Sequence, residues 1–149
     1  MRRTHTAASL AGALVLLLGG CDALATDKTP ERVRDGTAGL DLTVTGRPTP
    51  GTLAVTEHVL ARLKARDADG LADRAGQDGG TESDAERWVA RWGAAAQRPA
   101  TADFGQGEKT ASVEVRFAGE PSPLILLLTP EGRSDPYGDR FDVALHDDR

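Results

Sequence analysis

The stretch that decides the fold is Ala111–Phe117, ASVEVRF, followed by Leu124–Leu128, LILLL. In the first, Ala111, Val113, Val115 and Phe117 alternate with Ser112, Glu114 and Arg116. Apolar residues at period two predict a half-buried strand. The second is an unbroken apolar run, which predicts a central strand covered on both faces. AGEP at 118–121 turns the chain between them, and Pro121, Pro123 and Pro130 bracket the second run, a placement that limits aggregation. Asp135-Pro136-Tyr137-Gly138 has type I turn chemistry. Phe141, Val143 and Leu145 then alternate as a last strand, and a weaker strand is expected at Thr101 to Phe104.

Upstream the period changes. Val55, Val59 and Leu63 are four apart with Leu60 beside them, the stripe of an amphipathic helix running from about Thr52 to Arg66. DADGLADRA interrupts it; Gly70 weakens the helix, and Leu71 with Ala75 predicts a further short turn. GQDGG at 76–80 reads as a loop. Ser83 and Glu86 have the spacing of a capping box. Ala85, Trp88, Val89, Trp92 and Ala96 line one face of the helix that follows, and Pro99 ends it. Helices before strands predict an α+β fold.

The N-terminal part is of another kind. Arg2 and Arg3 precede an apolar run, Leu10–Leu18, with no acidic residue before Asp22. Nine apolar residues are too few to span a bilayer, which takes about 20, and suit a secretory signal. Leu18-Gly19-Gly20-Cys21 then resembles the lipobox of bacterial lipoproteins. That resemblance implies cleavage before Cys21, a diacylglycerol on its thiol with acyl chains such as palmitate, and attachment to the cell membrane on the extracytoplasmic face. Cys21 is the only cysteine of the 149 residues, so no internal disulfide can form. Residues 21–50 read as the lipidated cysteine and a flexible tether, with Pro30, Pro48 and Pro50 and no aromatic residue. Such a tether spans about 30 Å on average. Within it Leu40 to Thr45, LDLTVT, alternates as an edge strand does; tether and strand both remain open. The boundaries are therefore 1–20 signal, 21–50 tether and 51–149 domain.

The first helix with ARDADGLADRA, the Trp88–Trp92 helix, and the strands at 110–117, 124–129 and 140–146 together resemble the NTF2-like (cystatin-like) superfamily. The likeness is one of order and pattern. It implies N-terminal helices packed on a curved antiparallel β-meander of three to four strands, with a conical pocket. In that family the last strand often carries an aromatic near its start, a role only Phe141 could fill.

The net charge is −5. Losing Arg2 and Arg3 with a signal would make the chain more acidic still. An acidic chain argues against nucleic-acid binding, which needs a basic face. GQGEKT at 105–110 lacks the spacing of a P-loop, because Glu108 separates Gly107 from Lys109. Asp67, Asp69 and Asp73 lack the later ligands of a calcium loop, whose places hold Leu71 and Ala72. No G-x-S-x-G motif occurs. His58 lies beside the apolar stripe and Trp92 could stack on a ligand; these are the candidate ligand-binding residues. His146 lies on the polar side of the last strand. Asp103 or Asp142 could act with His58 as an acid–base couple. No catalytic residue, metal site or cofactor is assigned. The leading reading is a lipid-anchored envelope protein whose non-catalytic domain binds an envelope partner protein or a small ligand. The alternatives are a small NTF2-like pocket enzyme, isomerase- or hydrolase-like, and a structural envelope component without ligand.

Overall fold

The computed structural model describes residues 27–34, 39–75, 80, 82–106, 110–131 and 140–145. In chain order these form α1 (Glu31–Arg34), β1 (Leu42–Gly46), α2 (Pro50–Ala65), α3 (Ala68–Ala72), α4 (Glu82–Trp92), a 3-10 turn (Ala95–Gln97), β2 (Ala100–Gln106), β3 (Ala111–Phe117), β4 (Leu124–Pro130) and β5 (Phe141–Ala144). The fold is α+β: helices with one five-stranded mixed sheet in the order β1-β2-β3-β4-β5. Neighbours from β2 to β5 pair antiparallel. β1 runs parallel to β2, with Leu42 opposite Ala100 and Gly46 opposite Phe104. Parallel neighbours need a long crossover, and α2, α3 and α4 provide it.

The period-two alternation puts one face of every strand into the core. Val44, Ala102, Val113, Val115, Leu126, Leu128 and Val143 have no exposed surface. The helices meet them with Val55, Val59, Leu63 and Leu71, also fully buried, and with Ala85, Trp88 and Trp92. A buried Val or Leu contributes about 1.5–3 kcal/mol, so this single face carries most of the stability. Trp88 and Trp92 read as core in the sequence and are core in the structure. The Trp92 ring lies 6.1 Å from that of Phe117 on β3, tilted by 34°. Thr56 is buried among them because its hydroxyl donates to the Thr52 carbonyl at 2.9 Å.

Four expectations are corrected. First, the sheet has five strands, one of them parallel, where three or four antiparallel ones were expected. Second, β4 is covered on one face only: Ile125 and Leu127 are 43% and 42% exposed. The described helices all pack on the other face, so nothing covers this one among the described residues. Third, residues 40–50, assigned to the tether, belong to the folded domain. Leu40 is buried, β1 begins at Leu42, and the Lys28 N–H donates to the Val44 carbonyl at 2.9 Å. Fourth, Ser83 lies inside α4, which starts at Glu82, so it is not the cap. A capping box does form, at α2. Thr49 accepts from the Thr52 N–H at 3.2 Å, and the Thr52 hydroxyl accepts from the Thr49 N–H at 2.9 Å. The DPYG turn, His146, Cys21, and residues 107–109 of GQGEKT lie outside the described residues.

Gly46 is fixed by close approach: it ends β1 at φ +80°, where an added Cβ would lie 2.3 Å from the Phe104 carbonyl oxygen. Gly70 lies within α3, beyond the end of α2, and the atoms near a Cβ there are side-chain ends of Asp67 and Arg62.

Truncating Trp92 to Ala should destabilise the fold by about 3–5 kcal/mol, because the surrounding core cannot close the cavity. Thr49→Ala should cost about 1 kcal/mol through the lost cap. Denaturant titration of both variants checks these values. A Trp92→Ala protein as stable as wild type would remove Trp92 from the core.

Candidate functional site

His58 and Trp92 are held by different elements. The Nε2 atom of His58 lies 3.3 Å from the Gly70 carbonyl oxygen of α3. Around it is the joint between α2 and α3. Arg66 turns left-handed at φ 57°, and the Asp67 N–H returns to the Arg62 carbonyl at 2.9 Å. That six-residue ring ends α2 as a Schellman turn does. Asp67 then caps α3, accepting from the Gly70 N–H at 2.9 Å and from Arg62 Nη1 at 2.6 Å. These bonds, first the Gly70 N–H and then Arg62, hold its carboxyl below the ordinary value of 3.8. Asp73 is the C-terminal cap of α3. The aspartates that hinted at calcium thus include both caps of one short helix.

Trp92 closes α4. Its ring meets Phe117 on one side, and the Arg91 guanidinium carbon lies 4.6 Å from its centroid. Arg91 and Arg98 both reach Glu120, at 3.6 and 3.2 Å. Glu120 thereby ties the β3–β4 turn to the end of the helical layer.

The acid candidates face away from His58. Asp103 lies on the outer side of the sheet, where the Thr45 hydroxyl donates to it at 3.0 Å. Asp142 shares that side, opposite Thr129 on β4. His58 belongs to the helical layer on the other side. The structure therefore brings neither acid into a couple with the histidine. Burial, and then the Glu131 carboxylate, raise the Asp142 carboxyl above its ordinary value, while Arg74 acts in the opposite direction. Two buried donors, Arg74 Nε and Trp88 Nε1, have no hydrogen-bond partner among the described residues.

The outer side of the sheet gathers the features that can recognise something. A shallow cleft of about 260 Å³ opens where β1, β2 and β3 meet, lined by Asp41, Thr43, Thr101 and Arg116 over Phe117. Thr43, Thr101 and Arg116 form one cross-strand row. Beside it, Ile125 and Leu127 stand half-exposed. The sequence reading missed this pair, because a continuous apolar run looks the same whether one or both faces are covered. The polar outward residues of β3 were the available signal, since β4 lies beside them on the same face. Comparison with protein-family models, with curated proteins and with solved structures finds no match to this chain.

The two shifted carboxyls predict opposite pH behaviour. The folded pKa of Asp142 is raised, so its ionised form opposes folding above that pKa, and the penalty disappears below about 3.8, where both states are protonated. Asp142→Asn should raise the melting temperature at pH 7 and leave it unchanged at pH 3. For Asp67 the folded pKa is lowered. Its stabilisation is present above 3.8 and lost as pH falls through the folded pKa. Asp67→Asn should lower the melting temperature at pH 7, with the difference narrowing below pH 3.8. Melts of both variants across this range check the two signs.

Proposed function

We propose that this chain is a lipid-anchored lipoprotein of the cell envelope whose folded domain binds a partner or ligand without catalysis. The observation that carries this is the order of features before residue 22. A positive start, a nine-residue apolar run, two glycines and the only cysteine follow one another as Arg2-Arg3, Leu10–Leu18, Gly19-Gly20 and Cys21. No helix among the described residues is long and apolar enough to cross a membrane. On this reading attachment comes from acyl chains, where two or more are needed for stable residence.

Within the reading, the NTF2-like likeness is supported by helices preceding strands and by their packing on one sheet face. The parallel β1 and the crossover through α2–α4 depart from that pattern. The inward residues that would line a conical pocket, among them Val113, Val115, Leu126 and Val143, are buried with Leu63 and Trp88. A surface that meets a partner therefore suits this domain better than an internal ligand pocket. The separation of His58 from Asp103 and Asp142 by the sheet likewise favours binding over a pocket enzyme.

The leash is short. Lys28, bonded to β1, lies seven positions after Cys21. Whatever conformation residues 22–27 take, they span at most about 25 Å. The domain would thus sit close above the bilayer, its β1 edge nearest the anchor.

Replacing Cys21 with Ala should shift the protein from the detergent phase to the aqueous phase and abolish incorporation of labelled fatty acid. Equal partitioning of Cys21→Ala and wild type would refute the anchor.

A further inference from the structure

Both edges of the sheet are blunted. At β1, on its outer edge, the Val44 carbonyl accepts from the Lys28 N–H and the Val44 N–H donates to the Thr29 hydroxyl oxygen, each at 2.9 Å. At β5, the Val143 N–H reaches the Arg74 carbonyl at 3.3 Å. Strand addition at these points is obstructed, as in proteins that avoid edge-to-edge association. What stays open is the outer face.

On that face the cross-strand rows are settled by the register. One row is Thr45, Asp103, Glu114 and Ile125; the next includes Ser112, Leu127 and Ala144. Ile125 and Leu127 are the exposed large apolar residues of the described surface. Each flank of this pair carries carboxylates. Asp103 stands directly opposite Glu114, a pairing of like charges that destabilises a sheet. Across the patch, Asp142 on β5 feels Glu131. Relief is partial: the Thr45 hydroxyl bonds Asp103, Arg116 pairs with Glu114, and Arg74 acts on Asp142. Two acidic flanks around an apolar centre complement a cationic partner.

We infer that the outer face from β2 to β5 is a docking surface for a protein segment presenting apolar side chains between Lys or Arg residues. Its apolar side chains would cover Ile125 and Leu127. Its cations would meet Asp103 and Glu114 on one flank and Asp142 and Glu131 on the other. Asp142 stands opposite Thr129, four residues along β4 from Ile125; with strands about 4.8 Å apart and a rise of about 3.4 Å per residue, the two cationic groups would be separated by roughly 17–20 Å. An anionic lipid surface is disfavoured by the same carboxylates. A second copy of this chain presents the same acidic flanks and meets like charge.

This surface rests on the partner-binding part of the proposed function and needs no lipid on Cys21. A photo-crosslinking residue placed at Ile125 of the full chain, in its own cells, tests it. The same residue at Ala61, exposed on α2, is the control. The expected product joins residue 125 to a protein segment with apolar residues flanked by Lys or Arg. Its yield should fall about tenfold in the triple variant Asp103→Asn, Glu114→Gln, Asp142→Asn, because rim charges set the encounter rate. In isolated envelopes of the wild-type background, added salt should lower the yield as well, which keeps the test independent of the triple variant's folding. No product above the Ala61 control overturns the proposal. So does a product with a second copy, with lipid or with an uncharged segment, or a yield that salt does not change. Loss of the cross-link while Cys21-dependent partitioning persists removes this surface alone; loss of partitioning with the cross-link intact removes only the anchor.

Discussion

One layer of helices against one face of a five-stranded sheet is the constraint on which the rest of this structure depends. All the fully buried strand residues point to that layer, from Val44 on β1 to Val143 on β5. The helices supply Val55, Val59, Leu63, Leu71 and the tryptophans in return. A two-layer arrangement is the smallest that can bury both an apolar stripe and an apolar sheet face. It also leaves the second sheet face to solvent. Thr, Asp, Ser, Glu and Arg occupy that face on β1, β2 and β3, as solvent requires. β4 breaks the rule with Ile125 and Leu127.

The helical layer is positioned by short-range polar contacts rather than by hydrophobic burial alone. Asp67 joins α3 to α2 by accepting from both the Arg62 guanidinium and the Gly70 N–H. Arg32 binds the Glu57 carboxylate through both oxygens at 3.0 Å and joins α1 to α2. The Gln97 amide donates to the Lys64 carbonyl at 2.6 Å and joins the end of the layer to α2. Exposed ion pairs contribute little stability singly. Their effect here is on position: each fixes where an element lies once the core has gathered it.

What the sequence disclosed follows from periodicity. The alternation in ASVEVRF, the stripe Val55-Val59-Leu63 and the four-residue spacing of Trp88 and Trp92 each report what one element can bury, and each is buried so. Periodicity does not report what lies on the far side of an element. LILLL is compatible with one cover or two, and the choice depends on how many helices the chain can spare. LDLTVT reads as tether with an edge strand as its alternative, because the burial of Leu42 and Val44 depends on a β2 found more than fifty residues later. Thr49 and Thr52 form the α2 box although neither is the Glu or Gln that usually marks the third helical position. The acid–base candidates failed for a related reason. His58, Asp103 and Asp142 are chemically suited to one another, but sequence distance says nothing of which side of a sheet each will face.

The outer-face patch is small, and its size bears on how it could serve a membrane-anchored protein. Stable interfaces bury about 1,200–2,000 Å² in total; two half-exposed side chains with a charged rim form the centre of something weaker. Free in solution, a contact of that kind would be transient. On the proposed reading, with lipid on Cys21 and a leash of at most about 25 Å, the domain would be confined to a thin layer above the bilayer. A partner held in the same layer meets it at an effective concentration that short linkers raise to the millimolar range. Weak binding then suffices for occupancy, and release stays fast. The acidic flanks oppose a second copy at this face, and the blunted edges obstruct strand pairing. A leash of the proposed kind would thus add local concentration to a surface whose acidic rim already chooses the partner, so the contact itself would not depend on the lipid.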